Sequence, residues 1–148
     1  MPEQDTTRSD LPAVRAVIDA IIKAVRTNDV DGFLRQCVPE IVVFDLLAPL
    51  EHKGWDAVRQ SWRTGTASLE GPIEYDVDHL DITVSGDIAI SRSLTHFGGT
   101  TKDGTRIMNH LRSTLAFRKI GGQWKVIHQH VSVPFDMRTG EALLGLES

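Results

Sequence analysis

Asp45 stands between two apolar runs, after Ile41-Val42-Val43-Phe44 and before Leu46-Leu47. A carboxylate in that setting is expected to lose water, and a desolvated carboxylate is the stronger proton acceptor. The same position also suits a strand-end aspartate that accepts N–H bonds from the loop after it. Further along, Ser93, Asn109, Ser113 and Gln129 are interleaved with apolar residues on one face of the strand pattern. Such groups can donate hydrogen bonds to a ligand oxygen, or to negative charge developing on it. His128 and His130, two apart in a strand pattern, could share a metal ion, but no carboxylate or cysteine that would complete the set is evident on their face. No metal is therefore expected, and no other cofactor. Cys37 has no second cysteine to pair with and reads as a buried structural thiol.

These side chains need a scaffold, and apolar periodicity outlines one. Leu11, Val14, Ile18, Ile21, Ile22 and Val25 repeat at helical spacing, with Asp10 as cap and Pro12 in the first turn. Asp29 can cap a short second helix that carries Phe33, Leu34 and Cys37 and ends at Pro39. Ile41 to Asp45 is a strand, Leu46 to Lys53 an irregular connection, and Gly54 to Arg63 a third helix with Trp55, Val58 and Trp62 on one face. Strands follow over Ile73 to Val84, Ile88 to Phe97, Arg106 to Arg118 and Trp124 to Val133. Tyr75 and Val77 share one parity whereas Leu80, Ile82 and Val84 share the other, which predicts a bulge near Asp78-His79. Helices followed by a strand meander predict an α+β domain, with three N-terminal helices packed on a strongly bent, mostly antiparallel sheet. It is expected over residues 11–133, between a frayed N-terminus (1–10) and a C-terminal tail (134–148).

Alternation divides the last three strands into two faces. One carries Phe97, Leu111, Leu115, Phe117, Ile127, Val131 and Val133. Ser91, Ser93, Thr95, Asn109, Ser113 and Gln129 lie on it too, more hydrogen-bonding capacity than a plain core buries. A partly polar cavity beneath the helices is the expectation. Phe44 and Trp62 are expected to border its ligand, although Trp55, Trp62 and Trp124 also fit apolar periodicities as core or interface anchors. A two-residue turn at Asp103-Gly104 would set Phe97 opposite His110 and mix the faces, so a longer loop or a bulge is required, with Gly98-Gly99 the obvious place. The other face alternates His96, His110, His128 and His130 with Ile88, Ile90, Leu94, Ala116 and Val126, beside Arg92, Arg112 and Arg118. That mixture is too apolar for a wholly hydrated sheet and predicts a homodimer joined through it.

Composition narrows the partners. The chain has 148 residues, 41% of them hydrophobic, enough for one well-filled core without staples. Its 16 basic and 20 acidic residues give a net charge of -4 and form no basic run, which argues against nucleic acid. No apolar stretch approaches the ~20 residues of a membrane span, and the acidic start is unlike a secretory leader. A cytoplasmic protein with no membrane partner is expected.

The segment IVVFDLLAPLEHKGWDAVRQSW, in this order of elements, resembles the SnoaL-like and ketosteroid isomerase-like branch of the nuclear transport factor 2-like superfamily. The resemblance runs over roughly residues 10 to 133 and implies a cone-shaped fold. It also implies that Asp45, with Gly54 opening the third helix, stands where the isomerases keep their general base. Those enzymes stabilise an enolate with a tyrosine from the first helix and a protonated aspartate on a late strand. Here the helix stripe offers Ile18, Ile21 and Ile22 and the late-strand position holds Ser113, which argues against authentic steroid isomerisation. The segment WKVIHQHVS is also similar to kinase association domains, which share the fold and act by oligomerising. Two functions are carried forward. One is a cofactor-independent isomerase, cyclase or dehydratase that uses Asp45 on a small apolar molecule; the other is a non-catalytic binding or oligomerisation module.

Overall fold

Val14, Ile18, Ile21 and Val25 fall on one stripe of α1 (Glu3–Arg26) and are buried, whereas Leu11 is exposed. The structure is a computed structural model that describes residues 3–147. The helix starts before the expected cap, so Asp10 and Pro12 lie inside it, and of the expected frayed segment Met1 and Pro2 fall outside the described residues. Asp10 is instead a buried anchor. Its Oδ1 accepts from Lys119 Nζ at 3.1 Å and Trp124 Nε1 at 3.3 Å, tying the helix to the last two strands. Asp29 does cap α2 (Val30–Leu34), its carboxylate accepting from Gly32 N at 2.9 Å. That helix stops before Cys37 and Pro39, which belong to β1 (Cys37–Phe44). Pro39 fits there because a proline ends a helix but is tolerated near a sheet edge.

The irregular stretch after β1 includes a two-residue strand, β2 (His52–Lys53), which pairs with Val42 and Val43 and leads into α3 (Gly54–Thr66). The meander is β3 (Leu69–Ser85), β4 (Ile88–Thr101), β5 (Arg106–Ile120) and β6 (Gln123–Ser132). Strand order is β2-β1-β6-β5-β4-β3, antiparallel except that β1 runs parallel to β6. The fold is thus α+β, three helices against a curved six-stranded sheet.

Three irregularities set which residues face the helices. In β3, His79 and Leu80 together oppose Ser93, with His79 at φ 53°, so Tyr75 and Val77 before the bulge face the same way as Ile82 and Val84 after it. The β4–β5 ladder is regular from Ile88↔Arg118 to Thr100↔Arg106, closed by a longer loop, so Phe97 lies opposite Asn109 and His96 opposite His110. Gly98-Gly99 carries no bulge there. In β6, Ala116 pairs with His128 but Phe117 with Val126, which leaves Ile127 as an extra residue. Val126 therefore turns inward and is fully buried, contrary to its expected place on the outer face, and Trp124 follows it inward.

Residues 134–147 fold back on themselves. Phe135 bridges to Ala142, Leu143 N donates to Pro134 O, and His110 N donates to Leu144 O at 2.8 Å. No helix among the described residues is long and apolar enough to cross a membrane.

Candidate functional site

Between the helices and the concave side of the sheet lies a cavity of about 260 Å³. Its roof is the inner stripe of the helices, with Ile21 and Val25 from α1, Phe33 from α2, and Val58, Ser61 and Trp62 from α3. Its floor is the inward parity of the sheet: Tyr75, Thr95, Phe97, Asn109, Leu111 and Ser113, continued by Gln129 and Val131. One side is closed by the turn after β1, where Asp45, Leu46 and Leu47 face His52. The lining is mostly apolar, with polar groups at separate points, the usual composition of a small-molecule cavity.

Asp45 reaches this wall because β1 and β6 share register: Val43 pairs with Gln129 and faces inward, and two residues on the chain faces inward again. Its carboxylate is held at both oxygens. Oδ2 accepts from Ser61 Oγ at 3.0 Å and Oδ1 from Leu46 N at 2.7 Å. Each carboxylate oxygen can accept a further bond, so the group is oriented without being saturated. His52 is buried beside it with Nε2 3.0 Å from Leu47 O, which fixes the ring against the turn. Among the described residues no cluster of three histidine, cysteine or acidic side chains is placed to hold a metal.

Asp45, Trp62, Asn109, Ser113 and Gln129 all line the cavity; Phe44 and Ser93 do not. Phe44 is opposite His130 in the β1–β6 register and stands on the outer face, its ring 4.7 Å from that of His128 and 5.4 Å from that of His130. Val43 takes the inward place instead. Ser93 shares the inward parity but lies opposite the β3 bulge, outside the cavity lining. Trp62 donates from Nε1 to Asn28 Oδ1 at 2.7 Å, packs on Phe33 at 5.6 Å and also lines the cavity.

Ser61, His52 and Tyr75 were not singled out for the site from sequence. Ser61 is three residues after Val58 on the helix face that does point inward, so its signal was present. A two-residue strand is too short to show alternation, and His52 left none. Tyr75 follows from parity once the bulge is placed, and burial pushes its hydroxyl up to about 12, which keeps it protonated at neutral pH.

The outer face is as the alternation implied for the histidines and arginines, with two additions. Asp78 reaches within 3.6 Å of His96 and Asp81 within 3.7 Å of Arg92, so carboxylates from β3 share a face that the last three strands alone make basic. The tail also covers part of it, Leu146 and Glu147 bordering a small cleft with Leu94, His96 and Arg112.

Comparison with known proteins agrees with this architecture. The chain is similar to an NTF2-like protein of unknown function from Pseudomonas putida KT2440, at 31% identity over 95% of this chain and 98% of that one, with a TM-score of 0.85. A ketosteroid isomerase-like protein from Erwinia carotovora atroseptica SCRI1043 is 19% identical, covering 83% and 95% of the two chains, with a TM-score of 0.71. The association domain of C. elegans CaMKII is 15% identical, covering 86% and 98%, with a TM-score of 0.70. These last two share the fold. No curated protein matches the chain. The SnoaL-like domain model matches residues 14–136, nearly the whole of the folded unit, and the chain belongs to that SnoaL-like family of NTF2-like proteins.

Proposed function

We propose that this protein holds a small, mostly apolar molecule in its cavity and that Asp45 moves a proton on it, in an isomerase, cyclase or dehydratase type of reaction without a cofactor. The observation that carries the reading is the Asp45 carboxylate on the wall of an apolar cavity, oriented by Ser61 and the Leu46 amide. A fixed base next to an enclosed substrate needs little reorganisation at the moment of transfer. Asn109, Ser113 and Gln129 are then the groups that orient the ligand. A crystal structure with the carbon acid 2-tetralone bound tests this. Its activated carbon is expected about 3–3.5 Å from an Asp45 oxygen. A probe seated on the outer face, or a carboxylate turned away from it, overturns the reading.

A second reading is supported by the outer face, where Ile88 is 45% and Ile90 49% exposed and where, strands away, the ring of Phe44 also points outward. We infer that this face joins two copies of the chain in a homodimer. Dimerisation is compatible with the first reading, and without a competent base it would be the whole function.

A further inference from the structure

Among the described residues nothing bonds the Tyr75 hydroxyl. Its ring is seated edge-on to Phe97, with centroids 6.5 Å apart at 74°, and the residue lines the cavity. Burial alone perturbs the hydroxyl, with no hydrogen bond to a described residue. Nor is it among the described buried polar atoms sealed away without a partner, such as Trp55 Nε1 and His110 Nδ1. The residue lines the cavity, which is where that hydroxyl can find a partner. A hydroxyl drawn into a mostly apolar cavity without a protein partner gains from an acceptor on what enters, and that is what is expected to complete it.

The geometry points to Tyr75 as the residue that recognises a carbonyl oxygen on the ligand, at the end remote from Asp45. This rests on the small-molecule reading of the cavity and extends it to a ligand class. Tyr75 is on β3 and Asp45 follows β1, and these strands lie towards opposite edges of the curved sheet. One ligand touching both must present its acceptor at one end and its reacting atom at the other. The register makes the acceptor end specific: Tyr75 pairs with Phe97 and Phe97 with Asn109, so two polar residues whose backbones lie about 10 Å apart flank an aromatic floor. A flat carbonyl compound laid on Phe97 would meet one of them at its edge. The acceptor should be neutral, because among the described residues no lysine or arginine lines the cavity to match a carboxylate or phosphate. A tyrosine that remains protonated at neutral pH is a donor to such an oxygen.

The test compares two probes of one shape, 2-acetylnaphthalene and 2-isopropenylnaphthalene, which differ in C=O against C=CH₂. Dissociation constants are measured for the wild type, Tyr75→Phe and Asp45→Asn. The wild type should prefer the ketone by about fivefold to tenfold, the worth of one net hydrogen bond. Tyr75→Phe should bind the hydrocarbon as before and lose the preference, and the bound ketone's C=O stretch should move to higher wavenumber. A repacking effect would change both probes alike and leave the stretch in place. Asp45→Asn should keep the preference, which separates this inference from the role of the base. Equal preference in the wild type and Tyr75→Phe, with both probes bound, overturns the assignment of Tyr75 and leaves the cavity reading standing. Failure of both probes to bind any of the three proteins overturns both.

Discussion

At the scale of single residues, Asp10 and Cys37 show what burial does to groups outside the site. The hydrogen bond from Lys119 holds the Asp10 carboxyl below its ordinary value, against desolvation that would raise it. A lowered folded value means that the stabilisation is complete above the unfolded value near pH 4 and is lost as pH falls through the folded one. Asp10→Asn should accordingly lower Tm at pH 7, by on the order of a few degrees, and the gap to the wild type should close below pH 3. A gap that is constant with pH would show that the ion pair is not its source. Cys37 is buried, its Sγ 3.4 Å from Phe33 O, and burial pushes the thiol up to about 12. It should be inert to Ellman's reagent in the native protein and react as the protein unfolds in urea; native reactivity would mean that the α2–β1 junction opens. Asp45 was legible in the sequence because a charged residue between two apolar runs is conspicuous. Its partner Ser61 and neighbour His52 were not, since what brings them to it is the packing of α3 and β2 on β1 rather than any local pattern.

At the scale of elements, α1, α3 and the four long strands were legible because each is long enough to display its period, five-residue α2 only by its Asp29 cap, and the β3 bulge as a change of parity. The errors arose where one residue of register decided a face. Phe44 was expected to border the ligand, yet the parallel pairing with β6 gives Val43 the inward place. Val126 was expected outside, yet the extra residue at Ile127 reverses the first part of β6. The glycines before the β4–β5 loop do different work from that expected of them. At Gly98 a Cβ would come within 1.9 Å of Ile107 O, so the residue is needed for close approach of the two strands and not for a bulge. Gly98→Ala should force the ladder apart beside Phe97 and Asn109 and cost about 1–3 kcal/mol, read as a lower urea midpoint. An unchanged midpoint would mean that the strands separate there without penalty.

At the scale of the whole molecule, the sheet uses its two faces differently: the concave one closes a cavity under the helices and the other exposes isoleucines among histidines. If that second face joins two copies, the interface should bury on the order of 1,600 Å², and Ile90→Glu should give a folded monomer whose Tm no longer depends on protein concentration, because Ile90 contributes little to the protomer's own core. Sedimentation of a wild-type monomer at micromolar concentration would contradict it. The cavity could be anticipated from sequence as excess polarity on a buried face, but its contents could not, since its shape depends on how three helices lie over the sheet. On the proposed function, Asp45 takes a proton from a molecule held there. The direct measurement is deuterium incorporation into 2-tetralone in D₂O, with wild type and Asp45→Asn compared at concentrations where both bind it. The wild type should accelerate exchange at the activated carbon, and the variant should lose about 10²-fold or more of that acceleration. Equal exchange rates in the two proteins, with binding retained in both, would contradict the claim.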